Sequence, residues 1–95
     1  MGFHAYIMAS HPLGVLHIAA TGDLAASVAR HRAGRGGAHT ARYAITRLVW
    51  FEPHPDYGAA RLRARRIARW RRAWKDALIT AANPDWHDLT SRIPP

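Results

Sequence analysis

Three histidines are the side chains of this sequence whose types and positions most directly suggest chemistry. His4 and His17 fall in two segments typical of neighbouring strands, FHAYIMA and VLHIAA, and His31 follows in a helical segment. Outward-facing positions of paired strands lie side by side, so the three imidazoles can converge. Converging imidazoles would bind zinc or form an acid–base pair. The favoured interpretation is that each is a half-buried polar residue.

Carboxylates, which hard divalent cations require as ligands, are scarce in the chain. It has six Asp and Glu, of which Glu52 and Asp56 flank the third predicted strand. Their spacing gives no reason to place a cation between them, so they are interpreted as surface acids in a turn. The chain has no Cys, which excludes a disulfide framework and a thiolate zinc site. We therefore expect neither a metal nor a cofactor.

Positive charge is concentrated in one segment. The formal net charge is +8, and eight of the 14 Lys and Arg lie between residues 61 and 75. On a helix, positions 61, 65, 69 and 72 would form a nearly continuous ridge that attracts a polyanion. An alternative of equal weight is that the aliphatic parts of several arginine side chains pack over Trp70 and Trp74. The cluster comprises Arg61, Arg63, Arg65, Arg66, Arg69, Arg71, Arg72 and Lys75.

A second basic feature is the glycine-rich segment AGRGGAH, residues 33 to 39. Its glycines permit left-handed backbone, and Arg35 lies among them. The glycine spacing fits neither a P-loop nor a dinucleotide fingerprint. We predict a flexible, solvated loop. We include Arg35 among the residues that would contact a polyanion such as DNA.

Local patterns predict the elements that position these residues. Residues 3 to 9 and 15 to 20 form a hairpin across a Pro-Leu-Gly turn, and Asp23 is a candidate N-cap for a short helix. Residues 44 to 52 form the clearest strand. A helical period then runs over residues 57 to 82, with a break near residues 68 to 72, and Asn83-Pro84 stops it.

This order predicts an α/β fold, with a small three-stranded mixed sheet flanked by helices in the order β-β-α-β-α-α. One domain covers residues 1–95, with its core at about 3–89 and a frayed end at 90–95. The sequence has no secretory leader pattern and no apolar run near the ~20 residues that span a bilayer. We therefore expect no membrane association and a cytoplasmic location.

Five stretches together resemble the small single-domain bacterial proteins of the GIY-YIG nuclease superfamily. They are FHAYIMAS, GVLHIAATGDL, HTARYAITRLVWFE, WRRAWKDALI and NPDWHDL, and they cover residues 3 to 89 in order. The resemblance implies the superfamily's fold, a three-stranded sheet flanked by helices. It also implies descent from enzymes that cut DNA with one divalent cation, in which two strand tyrosines flank the water and phosphate. In those enzymes a helix arginine steadies the phosphate charge and a later glutamate holds the metal.

The resemblance places most of those roles on residues that cannot fill them. The second signature falls on His17-Ile18-Ala19, where His replaces Tyr and Ala19 replaces Gly. The helix arginine falls on Ser27, and the metal-binding glutamate falls on Ala64. The retained positions are the first tyrosine, the accessory histidine and a polar residue near the end of the pattern: Tyr6, His31 and Asn83.

The combined losses predict a catalytically inactive domain that binds DNA through Arg35 and the basic cluster, as a regulator or an accessory of DNA repair or mobile elements. One alternative is a protein-interaction or self-assembly module that uses the exposed parts of Trp50, Phe51 and Trp86. Another is a nuclease with a rearranged site, which alone would require Mg²⁺ or Mn²⁺.

Overall fold

The hairpin predicted from the first two segments is present. In the computed structural model, which describes residues 2–95, β1 spans Phe3–Ala9 and β2 spans Leu16–Thr21. The turn closes where the Ser10 amide donates to the Val15 carbonyl and the Val15 amide donates to the Ser10 hydroxyl. The predicted domain of residues 1–95 begins at Met1, which lies outside the described residues.

The remaining elements follow in the predicted order, with two additions. They are α1 (Leu24–Arg32), α2 (Ala38–Arg42), β3 (Arg47–His54), α3 (Tyr57–Ala68), α4 (Arg72–Ala82) and a 3-10 helix at Thr90–Arg92. The additions are the 3-10 helix and α2, which begins within the segment predicted to be a loop, so the loop itself is confined to residues 33 to 37. A tertiary hydrogen bond between His31 and Thr40 accompanies α2, and no local pattern signals such a contact.

The sheet has the strand order β2-β1-β3, and both of its pairings are antiparallel. In the central strand, Tyr6 pairs with Ala19 on one side and with Phe51 on the other. The predicted α/β class, with a three-stranded sheet flanked by helices, is confirmed. A mixed sheet was expected, however. β2 and β3 do run parallel to each other, as a helical crossover requires, but β1 lies between them and no parallel pair forms.

Alternation along β1 divides the core into two clusters, one on each face of the sheet. Ala5, Ile7 and Ala9 pack with Ile67 of α3 and Ile79 of α4. Tyr6 and Met8 face the opposite side, where they pack with Leu24 and Val28 of α1. The sheet is therefore covered by α3 and α4 on one face and by α1 on the other.

Aspartates cap two of the helices. Asp23 accepts a hydrogen bond from the Ala26 amide, and Asp56 accepts one from the Ala59 amide. Each cap satisfies a donor that the first helical turn leaves free. The predicted break is confirmed, because α3 ends at Ala68 and α4 begins only at Arg72.

The C-terminal segment returns to the core. Arg32 of α1 forms an ion pair with Asp88 at 2.6 Å, and Ile93 is half-buried against the cluster that contains Leu24 and Val28. A frayed end was predicted for residues 90–95, whereas the structure places a 3-10 turn and an apolar contact there.

Candidate functional site

A chain of hydrogen bonds joins β1, α1 and α2 through buried side chains. The Tyr6 hydroxyl oxygen lies 3.0 Å from His31 Nε2, and His31 Nδ1 lies 3.2 Å from Thr40 Oγ1. The Thr40 hydroxyl donates to the Gly37 carbonyl, so it accepts from Nδ1–H. His31 Nε2 then accepts from the Tyr6 hydroxyl. This arrangement assigns His31 to one neutral tautomer with both ring nitrogens occupied.

Burial favours the same protonation states. Burial lowers the pKa of His31 below 6.5, and the positive charge of Arg30 lowers that pKa further. Burial also raises the pKa of Tyr6 above 10.0. At neutral pH the imidazole is therefore uncharged and the phenol remains a donor.

The glycine-rich loop packs directly on His31. A Cβ at Gly36 would overlap the His31 ring, whereas a Cβ at Gly34 or Gly37 would meet no atom within 4 Å. Gly34 and Gly37 instead have positive φ values of 75° and 126°. Gly36 therefore allows close packing, whereas Gly34 and Gly37 allow left-handed backbone. The loop covers the His31 imidazole at Gly36.

The histidines converge only in part. The His17 ring centroid lies 4.8 Å from that of His31 and 6.5 Å from that of His39. His4 pairs in register with Thr21, whereas His17 pairs with Met8. His4 therefore lies four positions along β1 from the residue that pairs with His17, and it does not join the other histidines. Burial lowers the pKa of His17 to about 4, and His31 and His39 lower it as well. His39 was absent from the sequence-based set because its segment was predicted to be a loop.

Ser27, which the sequence resemblance aligned with a helix arginine, is buried in a network of hydroxyl groups. Its Oγ lies 2.7 Å from Thr21 Oγ1 and accepts a hydrogen bond from Arg30 Nη2 at 3.0 Å. Ala19 is half-buried on β2 and packs against the cluster on the same face of the sheet. Arg30 lies about one helical turn after Ser27 on α1. Its guanidinium is therefore close to the position at which the resemblance expects an arginine.

Ala64, which the sequence resemblance aligned with a metal-binding glutamate, is 5% exposed and packs in the apolar cluster with Ala5 and Ile7. The groups around Tyr6 and His31 are hydroxyls, imidazoles and the Arg30 guanidinium, with no carboxylate among their hydrogen-bond partners. A divalent cation prefers oxygen ligands that carry negative charge, so these residues do not fit one. Within residues 2–95, no three His, Asp or Glu side chains are grouped to hold a metal ion.

Asn83 and Glu52 have structural contacts. Asn83 Nδ2 donates to the carbonyls of Val49 and His87, and its Oδ1 accepts from the His87 amide. Glu52, which lies within β3, forms an ion pair with Arg63 at 3.1 Å and a hydrogen bond with His54 Nε2 at 2.8 Å. Asn83 therefore ties the C-terminal segment to β3 and does not join the Tyr6–His31 chain.

In the basic cluster, some side chains form ion pairs or pack on aromatic rings, and others do neither. The single ridge predicted over four positions is interrupted because the helix breaks after Ala68. Beyond the break, Arg72 is paired with Asp76 at 2.7 Å and donates to the Gly14 carbonyl. Arg71 lies over Trp74, and Arg63 lies between Trp50 and Trp70. Lys75 is half-buried. In the described chain, the exposed cluster members that have neither an acidic side chain within 4 Å nor an aromatic ring under the guanidinium are Arg61, Arg65, Arg66 and Arg69.

Arg35 is exposed in the loop that follows α1, whereas the α3 arginines belong to a helix that covers the opposite face of the sheet. Of the three aromatic residues predicted to form a partner surface, Trp50 and Trp86 are buried and Phe51 is half-buried. The Trp86 indole donates to Thr80 Oγ1. The exposed indole is that of Trp74, with 55% of its surface in water.

Comparison with protein-family models, with curated proteins and with solved structures found no match to this chain. No helix among residues 2–95 is long and apolar enough to cross a membrane.

Proposed function

We propose that the chain is a DNA-binding domain on a GIY-YIG-like scaffold that has lost the metal-dependent hydrolysis of that superfamily. On this proposal it acts in the cytoplasm as a regulator or as an accessory of DNA repair or mobile elements. The α3 arginines supply the binding surface, and the remnants Tyr6 and His31 hold the fold together.

The observation that carries the proposal is the set of unpaired arginines on α3. Arg61 and Arg65 are one helical turn apart, and Arg69 caps the same helix. Like charges at this spacing repel one another and destabilise the free helix. A phosphate backbone offsets that repulsion and gains further free energy from the release of its counterions.

Loss of hydrolysis is inferred from two replaced positions and from one retained pair of residues. The carboxylate position holds the methyl group of Ala64, and the guanidinium position holds the hydroxyl of Ser27. The remaining Tyr6–His31 pair has its protons committed to internal hydrogen bonds. A phosphodiester of DNA has no internal nucleophile, so without a cation these groups offer no route to hydrolysis.

Fluorescence anisotropy of a labelled DNA duplex over a series of salt concentrations tests the proposal. The wild-type chain is expected to bind at low salt, with an affinity that falls steeply as salt rises. Arg61→Gln with Arg65→Gln should weaken binding about tenfold or more and reduce the salt slope by about 2, because each phosphate contact contributes about 0.9 to that slope.

The matched control is Arg42→Gln with Arg92→Gln, which removes two exposed charges outside α3. Its affinity should change by less than about threefold, because long-range electrostatic attraction is screened within about 10 Å at 0.1 M salt. Equal losses in the two double variants, or no binding by the wild type at low salt, would refute the proposed function.

A further inference from the structure

Two imidazoles beside the Tyr6–His31 chain are not used by the function proposed above. The ring centroids of His17 on β2 and His39 on α2 lie 6.5 Å apart. His17 makes no side-chain hydrogen bond within residues 2–95, and His39 makes a long one, from Nε2 to the Leu16 carbonyl at 3.4 Å. Both rings therefore retain nitrogens for a ligand, in contrast to His31.

The surroundings of this pair contain basic groups and no carboxylate partner. His31 lies 4.8 Å from His17, and the positive charge of Arg30 lowers the pKa of His31. Within residues 2–95, neither the His17 ring nor the His39 ring has a carboxylate among its side-chain hydrogen-bond partners. An anion is the ligand that such surroundings favour.

We propose that His17 and His39 form an acid–base pair that cleaves RNA without a metal ion. Two rings whose centroids lie 6.5 Å apart can flank a phosphoryl group, one near the entering 2′-oxygen and the other near the 5′-oxygen that leaves on the opposite side of phosphorus. RNA differs from DNA in carrying its own nucleophile, the 2′-hydroxyl next to the phosphate. Positioned imidazoles then suffice as general base and general acid, whereas DNA at the same site stays intact.

The reaction is a transfer within the RNA strand. Neutral His17 takes the proton of the 2′-hydroxyl while the 2′-oxygen forms a bond to phosphorus. The bond from phosphorus to the 5′-oxygen breaks, and protonated His39 gives its proton to that oxygen. The products are a 2′,3′-cyclic phosphate and a 5′-hydroxyl, and proton exchange with water restores both rings. No oxidant, reductant or metal takes part.

A short RNA with one fluorescent end, incubated with the full chain in EDTA, tests the proposal. The expected result is cleavage to a 2′,3′-cyclic phosphate end, identified by mass spectrometry, with no cleavage of the DNA of the same sequence. His17→Ala should lower the rate at least a hundredfold, since positioned acid–base groups contribute about 10²–10⁴-fold. His39→Ala should do the same, and its exposed side chain makes unfolding an implausible cause.

The matched control is His11→Ala, which removes an exposed imidazole from the hairpin turn and should leave the rate unchanged. Duplex DNA affinity, measured for every variant, reports the fold and is independent of this site. Absence of RNA cleavage, or equal cleavage by all variants as a contaminating ribonuclease would give, overturns the proposal. Either result leaves the DNA-binding proposal standing if anisotropy still detects binding.

Discussion

Tyr6 donates its hydroxyl proton to Nε2 of His31 across 3.0 Å, and both side chains are almost fully buried. The second nitrogen of His31 donates to Thr40, so the imidazole joins the sheet, α1 and α2 in one chain of hydrogen bonds. Such a fully satisfied buried network stabilises a fold. The two residues that resemble nuclease remnants therefore have a structural role.

Tyr6→Phe should destabilise the protein by about 1–3 kcal/mol, because His31 Nε2 is left buried without a donor. The free energy of unfolding in urea measures this loss. Tyr43→Phe is the matched control, since its exposed hydroxyl should contribute less than about 0.5 kcal/mol. The structural role of Tyr6 is wrong if the two variants are equally stable, or if Tyr6→Phe weakens DNA binding without changing stability.

Gly36→Ala should disrupt the contact between the loop and the His31 ring, because the added methyl group overlaps that ring. Overpacking of this kind costs about 1–3 kcal/mol. Nitrogen-15 NMR of the imidazole should show the loss of the single Nδ1–H tautomer, together with a lower unfolding free energy.

Gly34→Ala is the comparison for that variant. It meets no atom within 4 Å but has a φ of 75°, so only backbone strain of about 1–2 kcal/mol is expected. The His31 tautomer should survive in Gly34→Ala. Its loss in both variants, or in neither, would contradict the packing role assigned to Gly36.

Stability should decline as pH falls from about 6.5 to about 4. The pKa of His17 is about 4 in the folded chain, against about 6.5 for an unfolded histidine. The unfolded state therefore binds more protons over this range, which favours unfolding. We expect a loss on the order of 1–2 kcal/mol, reduced by solvent screening around the half-buried ring.

Urea unfolding at pH 7 and pH 4.5 measures that loss. His17→Gln removes the titrating group, so its stability should change less between these two pH values than that of the wild type. An identical pH dependence in the variant would show that other groups carry the effect.

Asn83→Ala should cost about 2–3 kcal/mol, because three hydrogen bonds between α4, β3 and the C-terminal segment lose their partner. Thermal unfolding is the measurement, and duplex DNA affinity at a temperature below the transition should be unchanged. A loss of DNA affinity without a loss of stability would contradict this structural role and would show that Asn83 takes part in binding.

Sequence patterns were sufficient where local physics decides the structure. The Asp23 cap, the hairpin and the break after Ala68 each depend on residues within a few positions of one another, and all three are present. Ala60, Ala64 and Ile67 recur at three- and four-residue spacing on α3 and are all buried, which is typical of the inward face of a helix.

The rest depends on contacts between distant residues. Helix α2 depends on Thr40 reaching His31, and the burial of Trp50 depends on α3 and α4 packing over it. The position of β1 between β2 and β3 likewise has no local signal. The sequence analysis did not single out Arg30. Its role depends on the hydrogen bond from its guanidinium to the Ser27 hydroxyl, which the structure shows. Arg72 was assigned to the surface ridge although Asp76 follows it at the i,i+4 spacing of a helical ion pair; its bond to the Gly14 carbonyl is long-range and has no local signal.

Agarose electrophoresis of supercoiled plasmid incubated with the chain, in parallel samples with Mn²⁺ and with EDTA, tests the central claim most directly. The account expects retarded plasmid that remains supercoiled after the protein is removed, to the same extent in both samples. Nicked or linear plasmid that forms with Mn²⁺ and disappears in EDTA would contradict the loss of hydrolysis. Plasmid that migrates freely at low salt in both samples would contradict the binding function.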